Sequence, residues 1–254
     1  MRLHTIDTGR GADASDADGD RTVVLLHGMM GSSESWGRVI PALAAVGFRV
    51  LALDLPGHGL SPRDPHRTIE RAAAAVVETV RDRIPGPPSA VLAHSYGASV
   101  LAQAADALQP ALAVYIDAGL TLPGHADRAA LAAQYEHDRR TRLSPEALRR
   151  SRPFYSRKDA EVEARAAARF DPATMASVSC GPDHRWTPDA GSIVVRADPS
   201  IWVSDDDVRR YEGAGVQVRS IRGAAHTVWY SHFDQFTASL PELFSPGAPE
   251  RLPV

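Results

Sequence analysis

The stretch "SAVLAHSYGASVLAQAADAL", residues 89–108, runs apolar to Ala93, turns over a single serine and continues with helical apolar spacing. An aliphatic run bounded in this way is the pattern of a strand covered on both faces. Small residues stand two before and two after Ser95 (Ala93 and Gly97), so strand and helix can approach closely. The arrangement is that of G-x-S-x-G with alanine for the first glycine, a sharp corner that holds its serine in a strained backbone conformation. The helix N-terminus just beyond favours negative charge beside the hydroxyl. The bland alternative is a serine that merely caps a buried helix.

Working outward, the same rhythm repeats. Residues 2–8 alternate as an edge strand, and "GRGADASDADGD" (9–20) reads as a mobile loop. "TVVLLHG" (22–28) and "FRVLAL" (48–53) are buried strands, with a capped helix between them that ends at Gly47. "RTIERAAAAVVETVRDRI" is a strong helix, and "ALAVYID" (111–117) is a further buried strand. Alternating strands and helices with short connections predict an α/β fold, a mostly parallel sheet with helices on both faces. From 119 to 190 the rhythm stops: no convincing strand, but helical segments in "HADRAALAAQYEHDRRTR", "SPEALRRSR" and "DAEVEARAAARF". It resumes with strand "SIVVRAD", helix "SDDDVRRYEGAG", strand "VQVRSIRG" and a last helix near 231–240. The expected organisation is a core of 1–118 and 191–254 carrying a helical insertion of 119–190. The tail "SPGAPERLPV" is expected to fray.

Composition narrows the function classes. The chain has 254 residues, 44% apolar and 23% charged, with net charge −3, so nothing points to nucleic acid or a membrane surface. Cys180 is the only cysteine, which excludes an internal disulfide and a cysteine metal cluster. No signal-peptide or membrane-spanning run is evident, and a cytoplasmic location is the expectation. No phosphate loop or zinc spacing occurs, so neither metal nor organic cofactor is expected.

Four motifs together resemble the α/β-hydrolase family over nearly the whole chain. "LLHGMMGSS" (25–33) is similar to the family's loop after its third strand, "DLPGHGLS" (54–61) to the following turn, "AHSYGAS" (93–99) to the nucleophile elbow, and "IRGAAHTVW" (221–229) to the segment bearing the catalytic histidine. The resemblance implies a serine hydrolase in which Ser95 attacks and His226 is the base, in the chain order serine, acid, histidine. The acid has two candidates. The family's usual position, after its seventh strand, falls in "VVRADPSIWVSDDD", where Asp198 comes early. Some members place the acid after the sixth strand instead, which puts Asp117 in the role. One of the two aspartates is expected to serve, the other to bind loop N–H groups.

The resemblance also implies an oxyanion hole from the main-chain N–H groups of Met29 and Tyr96, and a cap formed by 119–190. Met30, Trp36, Tyr155 and Trp229 are candidate substrate contacts. The arginines of "HDRRTR" and "RRSR" read as a solvated helix face. The expected substrate is a small ester, lactone or thioester. A lyase, carbon–carbon hydrolase, acyltransferase or cyclase would leave the same residues visible, as would a binding protein without catalysis. Oligomeric state is not legible.

Overall fold

The structure is a computed structural model that describes residues 1–9 and 21–245. Most of the expected loop at 9–20 and most of the expected frayed tail therefore lie outside the described residues. The chain opens with β1 (Thr5–Asp7), β2 (Thr22–Leu26), a single 3-10 turn (Ser33–Trp36), α1 (Val39–Ala45) and β3 (Arg49–Leu53). There follow α2 (Ile69–Arg83), β4 (Ala90–His94), α3 (Tyr96–Leu108) and β5 (Leu112–Ile116). Next come β6 (Thr121–Leu122), α4 (Arg128–Thr141), α5 (Pro145–Ser151), α6 (Arg157–Arg169), α7 (Pro172–Val178) and β7 (His184–Arg185). The chain then returns through β8 (Ile193–Asp198), α8 (Asp205–Gly213) and β9 (Gln217–Arg222) to three short helices, α9 (Val228–Ser231), α10 (Phe233–Ala238) and α11 (Pro241–Phe244).

One seven-stranded sheet has the order β1-β3-β2-β4-β5-β8-β9. Every neighbouring pair in it is parallel except β1 with β3. The aliphatic runs arise because both faces are covered. Along β2, Val24 and Leu26 join one apolar cluster with α2 and α3, while Val23 and Leu25 join another with α1 and α9–α11. The chain pairs β3 on one side of β2 and then places β4 on the other. That reversal opens a crevice at the carboxyl ends of β2 and β4, the place where open α/β sheets bind ligands.

Several elements differ from expectation for local reasons. The expected helix at 32–47 breaks after Trp36 into the 3-10 turn and α1, with Pro41 tolerated in the first turn of α1. The expected helix at 231–240 is three short ones, its last part restarted by Pro241. Segment 119–190 contains two short strands where none was expected: Thr121 pairs with Arg185 and Leu122 with His184. Two residues per strand leave no periodic signal, and the pairing joins the two ends of the segment across a separation of 184 − 122 = 62 positions in the chain. A fourth helix, α7, was also missed. It begins at Pro172, with Asp171 accepting from the Thr174 N–H as its cap.

Segment 119–190 is tied to the core at named points. The Asp171 N–H donates to Gly57 O at 2.8 Å, and Ser177 Oγ to Arg67 O at 2.8 Å. Asp159 pairs with Arg38, and Glu34 with Arg165 and Arg169. α6 therefore lies over the 3-10 turn that follows β2. No helix among the described residues is long and apolar enough to cross a membrane.

Candidate active site

The site is assembled from loops that leave the sheet at its carboxyl edge. Ser95 sits between β4 and α3 with φ 53° and ψ −117°, a conformation costly for any residue with a Cβ. What holds it there is close packing around Gly97. A Cβ at that position would lie 2.5 Å from Leu26 O and 2.6 Å from His27 O, so only glycine lets α3 start this close to β2. Ala93 is fully buried in the sheet, so a methyl fits where the motif usually has glycine. Met30 (φ 62°) and Asp117 (φ 47°) also carry left-handed backbone, at the ends of β2 and β5. Three of the six non-glycine residues with positive φ among the described residues thus stand on this edge.

The structure brings Asp117 and His226 together. Asp117 Oδ2 lies 2.7 Å from His226 Nδ1, and the Ala197 N–H donates to Asp117 Oδ1 at 3.0 Å. The Asp117 N–H in turn donates to Val195 O at 2.8 Å. The aspartate is 1% exposed, and its two oxygens have one partner each. A buried carboxylate held this way fixes the imidazole with Nε2 as the nitrogen left to face outward. Asp198 is elsewhere: its nearest charged partner is Arg196 at 4.0 Å, and its carbonyl accepts from the Gly223 N–H at 2.7 Å.

His226 is steadied from below by His94, whose Nε2 lies 3.0 Å from His226 O, with ring centroids 4.5 Å apart. Burial, reinforced by the neighbouring His226, holds His94 well below the ordinary histidine pKa. His94 is then neutral, with its Nε2–H donating to that carbonyl.

Of the two expected oxyanion donors, Tyr96 follows Ser95 in the chain and Met29 lines the same cavity as Ser95. A tight turn is closed by the Gly31 N–H donating to Gly28 O at 3.0 Å, and Met29 sits inside it. Tyr96 is the first residue of α3, whose N–H has no partner within the helix. Below the turn, His27 Nδ1 donates to Gly28 O at 2.8 Å while its Nε2 accepts the Leu55 N–H at 2.9 Å. The amide must donate, so His27 is the neutral tautomer, and its burial lowers its pKa accordingly. Asp54 accepts N–H groups from Ser33 at 2.6 Å and Leu60 at 2.8 Å, joining the loops after β2 and β3.

Ser95 and His226 open onto the same cavity of about 190 Å3. Of the four candidate substrate contacts, Tyr155 and Trp229 line it, whereas Met30 and Trp36 do not; Met29, an expected oxyanion donor, lines it as well. Both are fully buried: Met30 joins the cluster under α2 and α3, and Trp36 stacks on Trp229 at 4.2 Å. Their large apolar side chains next to the motif explain the expectation, but those side chains point inward. Phe154 and Trp202 add further apolar wall. Trp202, whose ring lies 5.3 Å from that of His226, carried no sequence signal.

The polar wall was also missed. Arg142, Arg152 and Glu163, all from segment 119–190, line the cavity. Glu163 Oε1 accepts from Ser35 Oγ at 2.8 Å and from Tyr230 OH at 2.9 Å, and burial raises its pKa. The two arginines belong to the runs read as a solvated face, and their placement depends on how α4 and α5 end.

A model of the alpha/beta hydrolase family matches residues 23–239, and the chain belongs to this family. It is 36% identical over 101 residues to epoxide hydrolase B of Mycobacterium tuberculosis, covering 39% of this chain and 27% of that protein. It is 29% identical over 108 residues to the probable esterase PIR7A of Oryza sativa, covering 42% of this chain and 41% of the other. The chain thus spans well under half the length of these curated relatives. Among solved structures, the fold is similar to an N-formylmaleamic acid deformylase of Pseudomonas putida (TM-score 0.74, 19% identity, 94% and 95% of the two chains). It is also similar to an esterase of Exiguobacterium antarcticum (TM-score 0.71, 14% identity, 94% and 93%).

Proposed function

We propose that this protein is a serine hydrolase acting on a small ester, lactone or thioester. The observation that carries the reading is the 2.7 Å contact of Asp117 with His226 on the cavity that Ser95 also faces. Ser95 Oγ attacks the carbonyl carbon while its proton passes to His226 Nε2. Asp117, and not Asp198, stabilises the imidazolium. The N–H groups of Met29 and Tyr96 hold the oxyanion. On collapse His226 returns the proton to the departing alcohol or thiol. Water, deprotonated by the same nitrogen, then releases the acid and restores Ser95.

Segment 119–190 acts as a cap, since its side chains supply part of the cavity wall. Epoxide hydrolases are among the relatives, but a serine at the elbow favours acyl transfer, because family resemblance puts an aspartate there for epoxide opening. A cavity of about 190 Å3 is below the ~300–1,000 Å3 of sites for drug-sized ligands, so the acyl group is short.

A fluorophosphonate probe and a p-nitrophenyl ester chain-length panel test the reading. Stoichiometric labelling of the protein, lost in Ser95→Ala and in His226→Ala, with turnover of the short esters, is expected. A protein that stays unlabelled and leaves every ester intact is no serine hydrolase.

A further inference from the structure

We propose that Arg142 and Arg152 form an anion subsite in this cavity, so that the substrate carries a carboxylate or phosphate group besides the bond that is cleaved. The inference rests on the hydrolase reading for the reaction, but the subsite itself stands on geometry alone.

Several arginines of segment 119–190 are ion-paired with a carboxylate. Arg139 and Arg140 pair with Glu136, Arg157 with Glu161, and Arg165 and Arg169 with Glu34. Arg142 and Arg152 are set apart by two features found together. Both line the cavity that holds Ser95 and His226, and neither forms an ion pair with a carboxylate among the described residues. Arg142 follows directly after α4 and Arg152 directly after α5, so two helix ends deliver two guanidinium groups to one wall.

Arg152 donates to the neighbouring Ser151 Oγ at 3.2 Å and lies 5.8 Å from the centre of the Tyr155 ring. Neither contact neutralises it. Loss of hydration, and then repulsion from Arg152, pull Arg142 below the ordinary guanidinium pKa. Placing two like charges beside one small cavity is unfavourable unless an anion joins them.

Among the described residues, the only carboxylate in the wall is Glu163. Its Oε1 is engaged by Ser35 and Tyr230, it makes no ion pair with either arginine, and burial disfavours its charge. Its attraction for the two arginines offsets part of their charge, but one carboxylate disfavoured by burial cannot balance two guanidinium groups. Guanidinium groups present planar N–H pairs that match carboxylate and phosphate oxygens, whereas a neutral acyl chain gives them nothing to bind.

Two experiments test this. The first compares p-nitrophenyl butyrate with the mono-p-nitrophenyl ester of glutarate, which places a carboxylate at the end of a short acyl chain. The ratio of kcat/KM for the anionic over the neutral ester is expected to exceed one in the parent. It should fall about tenfold or more in Arg142→Gln and in Arg152→Gln, as expected for loss of a charged hydrogen bond. Fluorophosphonate labelling of each variant shows that its fold and nucleophile are intact. A ratio at or below one in the parent, or one that both variants leave unchanged, overturns the subsite and leaves the hydrolase reading standing.

The second experiment needs no turnover. Calorimetric titration of Ser95→Ala with glutarate, inorganic phosphate and neutral 1,5-pentanediol is expected to show binding of an anion, weakened in the Arg142→Gln/Arg152→Gln background. Tighter binding of glutarate identifies a carboxylate substrate, and tighter binding of phosphate a phosphorylated one. Failure of both anions to bind, or binding indifferent to the two arginines, rejects the subsite even if no ester is turned over.

Discussion

Asp117 and Asp198 illustrate what a single residue's surroundings decide. Both stand at the end of a parallel strand, and both were candidates from sequence. β5 and β8 are neighbours, and the Ala197 N–H of β8 points at Asp117 Oδ1. That bond turns the other oxygen of Asp117 to His226, while Asp198, one residue further on, lies beside Arg196. Asp117→Asn is therefore expected to lower kcat by about three to four powers of ten, because an amide cannot stabilise the imidazolium and favours the wrong tautomer. Asp198→Asn should change kcat by less than about threefold. Parallel kinetics on the two variants with one active ester decide the matter; equal losses, or a larger loss in Asp198→Asn, would refute the assignment.

At the scale of elements, the corner from β4 to α3 depends on one missing side chain. A Cβ on Gly97 would press on two main-chain oxygens of the β2 end, and backbone cannot yield as a flexible side chain does. Gly97→Ala is expected to push α3 off the sheet at a cost of roughly 1–3 kcal/mol. For a chain of this size that lowers Tm by roughly 2–12 °C. Because the same movement shifts Ser95 against the Tyr96 N–H, labelling of Ser95 should slow as well. Thermal melts beside labelling rates check both; an alanine variant with unchanged Tm would show that the corner has slack. This corner was legible in the sequence because its causes are local: an aliphatic run, a serine and small residues at fixed offsets. The paired ribbon of β6 and β7 was not, since each strand exists only through a partner some sixty residues away along the chain.

For the molecule as a whole, three buried imidazoles set its response to acid. His27, His58 and His94 have pKa values lowered chiefly by burial, His58 to about 3. In the unfolded chain each would titrate near 6.5, so as pH falls below that value the unfolded state takes up protons first. Their contribution to stability is full above pH 6.5 and drains away as pH falls toward 3. A Tm measured from pH 8 to pH 4.5, above most carboxylate titration, should be flat to about 6.5 and then decline. Replacing His58 with glutamine, which cannot take a proton, should shallow that decline. A Tm independent of pH over the range would mean that these rings are not neutral in the fold.

The parallel sheet, the family and the candidacy of Ser95 and His226 were legible in the sequence alone, because they rest on short local patterns and on the order of those patterns along the chain: burial on two faces, glycine where backbones touch, small residues around a corner. Which aspartate meets His226, the neutral histidines beneath the site and the arginine wall were decided by tertiary structure. Each of those depends on which strand ends become neighbours and on how far two distant helices reach across the sheet edge. A side chain's charge is written in the chain, but whether water or another residue meets that charge is settled only when the chain has closed around it.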